Sequence, residues 1–228
     1  MNWADSVELA ASFLNGAGWA IFPLLALPFL CLLLPNQGFL ERISSGVIST
    51  IDMICYGIGE IVKWGLPLLV LSVAFGVFAK EIFDKTWTQL FESATYFHAV
   101  VIMLGAAATL LANQHVRVDV FYHRMTPKKK ARIDLLGFHL LLMPVCLILL
   151  WNGSDYASTA WINQESSVAP DGIPFKYMLM STIALFSLTM LAQGLAVSLR
   201  AVKVLNDQAE PDLPKSIDPL FHASEGNH

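Results

Sequence analysis

The stretch His115-Val116-Arg117-Val118-Asp119, with Arg124 and Lys128-Lys129-Lys130 behind it, is where this chain gathers its charged chemistry. His115–Arg132 holds six of the fourteen Lys and Arg residues, and Asp119 is its one acid. A cationic hinge of this kind can bind an anion, meet a partner, or only mark which side of a membrane a loop stays on. Arg117 and Asp119 alternate with Val116, Val118 and Val120, so one side can face a protein and the other the interface. Asp119 can pair with Arg117 or Arg124 and hold the turn. These residue types favour a structural hinge or partner interface made of His115, Arg117, Asp119 and Arg124 over a ligand site.

Other chemistries find less material. Two histidines on facing helices could hold haem, and His98 and His139 are the candidates. At 1.5 Å per residue their depths in a ~30 Å hydrocarbon core differ by about 9 Å, so they do not face across one iron. Cys31, Cys55 and Cys146 are scattered through apolar sequence with no metal-ligand or redox spacing. No nucleophile–base set and no Gly-rich phosphate loop stands out. The expectation is a chain with no catalytic residue, no metal site and no cofactor.

The elements that must position these residues are oily. The 228 residues are 55% hydrophobic and 14% charged, with mean hydropathy +0.57. A soluble chain carries about a quarter charged residues, so the solvent here is lipid. Five stretches are near the ~20 residues a bilayer requires: about Ala17–Pro35, Trp64–Phe83, Leu90–Ala112, Ile133–Trp151 and Phe175–Leu199. The first is short and broken by Pro23 and Pro28; Pro67 and Pro144 are positions for kinks. The central parts of these stretches hold no Asp, Glu, Lys or Arg. Lys80, Glu81 and Asp155 lie near span ends, and Ser72, Thr109, Thr182, Ser187 and Gln193 read as helix-packing groups. Ile43–Val62 differs. Ile43, Val47, Ile51, Ile54, Ile58 and Ile61 follow one helical face, and Ser45, Ser49, Asp52, Tyr56, Glu60 and Lys63 another. That pattern suits an amphipathic arm lying in the membrane interface, where Asp52 and Glu60 meet water.

The expected fold is an all-α integral membrane protein: four core transmembrane helices, an interfacial arm helix and an extra N-terminal transmembrane helix. Its divisions are 1–41, 42–205 and a disordered tail, 206–228, too polar to build a core. Basic loops stay in the cytoplasm, which places the hinge, Arg200, Lys203 and the C-terminus inside and Ser154–Pro174 outside. That outer segment carries Trp161, Glu165, Ser166 and Asp171, candidates for contact with a periplasmic partner. A hinge flanked by apolar spans is no footprint for nucleic acid.

The order of parts resembles the small membrane subunit, DctQ-like, of tripartite ATP-independent periplasmic (TRAP) transporters. The resemblance is carried by "ANQHVRVDVFYHRMTPKKKARIDLLG" and "WINQESSVAPDGIPFKYMLMSTIALF" and covers about Ile43 to Leu205. The longer wording is similar to a branch associated with mannitol or chloroaromatic compounds and 2-oxo acids, a label that does not decide the substrate. The resemblance implies four spans plus an arm; the first span is extra to that plan. It also implies a large permease (M-type) partner holding the substrate and sodium sites, and a periplasmic substrate-binding protein that captures an organic acid. This chain would then be a non-catalytic subunit of the bacterial inner membrane, multi-pass, bracing the permease among membrane lipid and helping to dock the binding protein in sodium symport. The rival reading is the membrane anchor of a respiratory enzyme, with or without haem.

Overall fold

The computed structural model describes residues 23–34, 38–112 and 125–209. Their elements are α1 (Leu27–Leu33), α2 (Gly38–Val62), α3 (Gly65–Phe83), α4 (Thr88–Leu111), α5 (Pro127–Gly137), α6 (Met143–Ile162) and α7 (Lys176–Leu205). A π-helical turn, Phe138–Leu142, fuses α5 and α6 into one 36-residue helical stretch. Among the described residues there is no strand, and four helical stretches are long and apolar enough to cross a membrane. The all-α membrane fold expected from composition is therefore what forms. The hinge residues His115, Arg117, Asp119 and Arg124, most of the polar tail, and residues 1–22 lie outside the described residues. What is described of the N-terminal stretch is an apolar helix over Pro23–Leu33, so a full extra span is not established.

α7 is the central post. Small and polar residues recur inside it: Ala184, Ser187, Gly194, Ala196, Ser198 and Ala201 are all buried. Small residues let neighbouring helices approach closely where lipid gives no hydrophobic drive for helices to associate. α4, α5, α6 and α2 all pack on it. α3 instead forms a hairpin with α4 and shows Val70, Leu71 and Phe78 to the surroundings. Apolar side chains facing outward in this number require lipid around them.

The break between arm and span comes at Lys63 and Trp64, as the sequence reading placed it, and there the Leu66 N–H turns back to the Lys63 carbonyl at 3.2 Å. Pro67 thus sits in the first turn of α3, where a missing N–H costs nothing, and does not kink the helix. Pro144 does disturb its helix. It would leave the i−4 carbonyl unpaired, and the adjoining turn widens so that the Met143 N–H reaches Phe138. Finally, α6 runs on to Ile162, well past the expected end at Trp151. Gly153, Ser154, Ala157 and Ala160 form a buried small-residue stripe, and Gly153 abuts Ile183 of α7. That packing keeps the chain helical through what composition marked as loop, and the connection shrinks to residues 163–175.

The closest approach on α7 is at Gly194. A Cβ there would lie 2.5 Å from Phe138 Cε2 and 2.7 Å from Leu142 Cδ2, so the widened turn and the glycine fit one another. Overpacking costs about 1–3 kcal/mol, and the helix propensity of Ala returns about 1. Gly194→Ala is expected to lower the melting temperature in detergent. Gly46→Ala, whose Cβ meets nothing within 4 Å, is expected to raise it. A rise for both would show that Phe138 moves aside freely.

Candidate functional site: a buried ion pair and a tethered loop

α2 turns a different face inward from the one its apolar pattern suggests. Its buried positions are Ser44, Ile48, Asp52, Cys55 and Val62, while Met53, Ile54 and Ile61 face outward. Asp52, expected at the water interface, is instead buried. Both terminal nitrogens of the Arg200 guanidinium donate to its carboxylate, Nη1 to Oδ1 at 3.2 Å and Nη2 to Oδ2. Gln193 Nε2 donates to Oδ1 at 3.1 Å. The Asp52 side chain is 2% exposed and that of Arg200 14%. Three residues earlier in α2 than Ile48, Ser45 Oγ accepts from Lys203 Nζ at 2.7 Å. Gln193, Arg200 and Lys203 lie at helical spacing on one side of α7, so α2 is clamped along that side.

The physical reason is desolvation. A carboxylate inside a membrane protein needs a partner, and a bidentate guanidinium is the best one available. The sequence reading took Arg200 and Lys203 only as signs of sidedness, Gln193 as packing glue and Asp52 as solvated. The i, i+7 spacing of Gln193 and Arg200 was the legible signal, but nothing local ties it to Asp52, 148 residues away. Chemically this is a saturated clamp: its carboxylate oxygens are already claimed, which leaves no open face for a free cation. Among the described residues, Gln193 Oε1 and the nearby Ser198 Oγ of α7 are buried without a hydrogen-bond partner.

The clamp also sets how α2 lies. Along its 25 residues, ~37 Å of helix, it meets α7 between Gln193 and Lys203. Its far end reaches α4, where a Cβ on Gly59 would strike Ala108 at 2.6 Å. All these contacts lie in the halves of α4 and α7 nearest their C-terminal ends.

At the other end of the bundle, the 163–175 connection is tied to α4 by a residue the sequence reading passed over. Glu92 Oε2 accepts from the Ile173 N–H at 2.6 Å, and its Oε1 accepts from Ser167 Oγ. Ser167 Oγ in turn accepts from the Ala169 N–H at 3.1 Å. Thr88 Oγ1 donates to Asp171 Oδ2 at 2.9 Å. Gly172 is needed here because a Cβ would lie 2.7 Å from Glu92 Oε1.

The four loop residues expected to meet a partner are not gathered into one site. Trp161 Nε1 donates to Ser181 Oγ at 2.7 Å, and its ring packs on Tyr177 at 4.4 Å. Glu165 pairs with Lys176 at 3.3 Å, and Asp171 is taken by Thr88. Ser166 is exposed, and nearby Val168 is 94% exposed. Val168 is the most protruding apolar side chain of the loop, and a lone valine in a polar stretch carries no sequence signal.

The remaining candidates sit apart. His139 Nδ1 lies 2.9 Å from the Leu135 carbonyl and Nε2 3.5 Å from that of Leu25, between the rings of Phe29 and Phe138. Both ring nitrogens thus face carbonyl oxygens. His98 is exposed on α4. Cys31, Cys55 and Cys146 are free and buried. Among the described residues no three His, Cys, Asp or Glu side chains converge as metal ligands would. Lys128 pairs with Asp207 at 2.7 Å, an exposed pair that contributes roughly 0–1 kcal/mol.

No curated protein and no solved structure gives a significant match to the chain. A family model does, that of the tripartite ATP-independent periplasmic transporters, DctQ component, over residues 69–203. The matched residues run from α3 through nearly all of α7, taking in Glu92, the tethered loop, Gln193 and Arg200, and leave the arm helix with Asp52 outside. Together with four helical stretches long and apolar enough to cross a membrane, this makes the chain a member of the DctQ family, a membrane-embedded small component of a TRAP transporter.

Proposed function

We propose that this chain is the non-catalytic small subunit of a sodium-driven, binding-protein-dependent uptake transporter for organic acids or related small solutes. It braces a large permease in the inner membrane and helps dock a periplasmic binding protein. The observation that carries the reading is the family match over residues 69–203. The saturated state of the Asp52 carboxylate supports it: that buried acid is engaged within the chain, which leaves ion and substrate chemistry to a partner. In this reading His115–Arg132 and the C-terminus face the cytoplasm. The hinge residues His115, Arg117, Asp119 and Arg124 meet the permease, and the loop carrying Trp161, Glu165, Ser166 and Asp171 faces the periplasm.

The test is co-purification combined with uptake. A tagged copy of the chain should bring down a large permease from solubilised membranes, and its deletion should abolish sodium-dependent uptake of the captured acid. Neutralising Lys80, Glu81 or Asp155 singly should leave the sodium dependence intact. In intact cells an impermeant thiol reagent should label Ser166→Cys but not Lys129→Cys. Recovery with a respiratory enzyme, or a Soret band in the purified chain, would sink the reading.

A further inference from the structure

Between the first turns of α2 and the middle of α7 runs an open groove of about 440 Å³. Ile43, Val47 and Leu195 form its walls, and Gly46 and Ala192 leave it deep. Its one charged lining residue among those described is Arg42. The lip is near the C-terminal end of α7, because Ser45, one turn from Arg42, already holds Lys203. Ala192 is eleven residues earlier in α7, ~16 Å along the axis, about half of a ~30 Å hydrocarbon core. The groove is cationic at its Arg42 end and mostly apolar along the rest of its lining. Among the described residues no carboxylate pairs with Arg42.

The other groove beside α2 is a useful contrast. It holds about 570 Å³ against α4, and its rim carries both Glu60 and Lys63, paired at 2.5 Å. That rim is already neutral and asks for no charged guest. The Arg42 groove asks for a guest that is anionic at one end and apolar along the rest. A transmembrane helix of a partner would fill the apolar part and strand the guanidinium unless it carried an acid at that level. A guanidinium fork matches a phosphate with two parallel hydrogen bonds.

We infer that the groove between α2 and α7 is a binding site for an anionic phospholipid, its phosphate on Arg42 and one acyl chain against Gly46, Val47 and Leu195. The lipid fills the space left between arm and post, so the arm's seating depends on the leaflet's composition as well as on the Asp52 clamp.

Native mass spectrometry of the full-length chain, titrated with phosphatidylglycerol or phosphatidylethanolamine of identical acyl chains, tests this. The wild type should retain one phosphatidylglycerol in preference to phosphatidylethanolamine. Arg42→Gln should lower phosphatidylglycerol retention about fivefold, the weight of one basic residue at an anionic surface, and erase the preference. Gly46→Leu should fill the groove and lower retention of both lipids; the open space at that position keeps the fold intact, which the melting temperature verifies. Lys63→Gln should change nothing. Equal retention by wild type and Arg42→Gln would overturn the inference. So would unchanged retention by Gly46→Leu, or displacement of the lipid by equimolar inorganic phosphate, which has no acyl chain to seat.

Discussion

Asp52→Ala should destabilise the detergent-solubilised chain by about 3–5 kcal/mol, the usual cost of stranding one member of a buried ion pair. The substitution leaves the Arg200 guanidinium without its acceptors in a site where only 14% of the side chain reaches solvent. It also strands the Gln193 amide, whose other end is already unpaired. Arg200→Met should act in the same direction and less strongly, since Gln193 still donates to the carboxylate. Replacing all three together, Asp52→Leu, Arg200→Met and Gln193→Leu, should recover most of the loss, because a buried ionic network and an apolar one of similar volume differ little in net stability. Melting temperature reads the global effect. Amide exchange reads the local one: protection across 44–55 should fall in the single variants while the middle of α6 stays protected. A near-wild-type melting curve for Asp52→Ala would mean the carboxylate is hydrated, and the clamp would have to be abandoned.

Glu92→Ala is the second large effect. It deletes two hydrogen bonds to a carboxylate, each worth roughly 1.5–3 kcal/mol, one from the Ile173 N–H and one from Ser167 Oγ. Without them the 163–175 loop keeps the exposed Thr88–Asp171 bond, the Glu165–Lys176 pair and backbone bonds such as that from the Ser167 N–H to the Ile173 carbonyl. Exchange at the Ile173 amide should speed up by on the order of 10²-fold, and protease should begin to cut near Val168. Glu92→Gln should lie between, since one amide oxygen can still accept from Ile173. Thr88→Ala should do little, because its bond is exposed. The global melting temperature should move less than for Asp52→Ala, since the loop is outside the helical core. Unchanged exchange at Ile173 would show that the loop holds its shape without Glu92.

Much of the fold was legible because lipid imposes a simple rule: backbone polar groups must be satisfied within the span, so ~20 apolar residues in a row form a helix. The site was less legible for a matching reason. Hydropathy and amphipathic pattern report what a side chain prefers on average, and Asp52 and Glu92 behave against that average. Asp52 lies on the face of α2 that its neighbours Ser45, Ser49 and Tyr56 mark as polar, and pattern alone sends that face to water. It turns inward because Arg200 is waiting there. Glu92 reads as an ordinary acid near a helix start, and its role depends on a loop some eighty residues later folding back onto it.

By itself, the sequence determined that this chain lives in a membrane, where four of its helices cross, that an amphipathic helix precedes them, and which transporter family it resembles. Those follow from local composition, from helical spacing and from motifs read along the chain. Only the tertiary structure decided that α6 continues to Ile162, that Pro144 and Gly194 meet through a widened turn, that Asp52 is a buried clamp, and that Glu92 ties down the 163–175 loop. Each of these depends on partners far apart in sequence, and no local preference encodes a pairing whose energy appears only when two distant helices exclude the solvent between them.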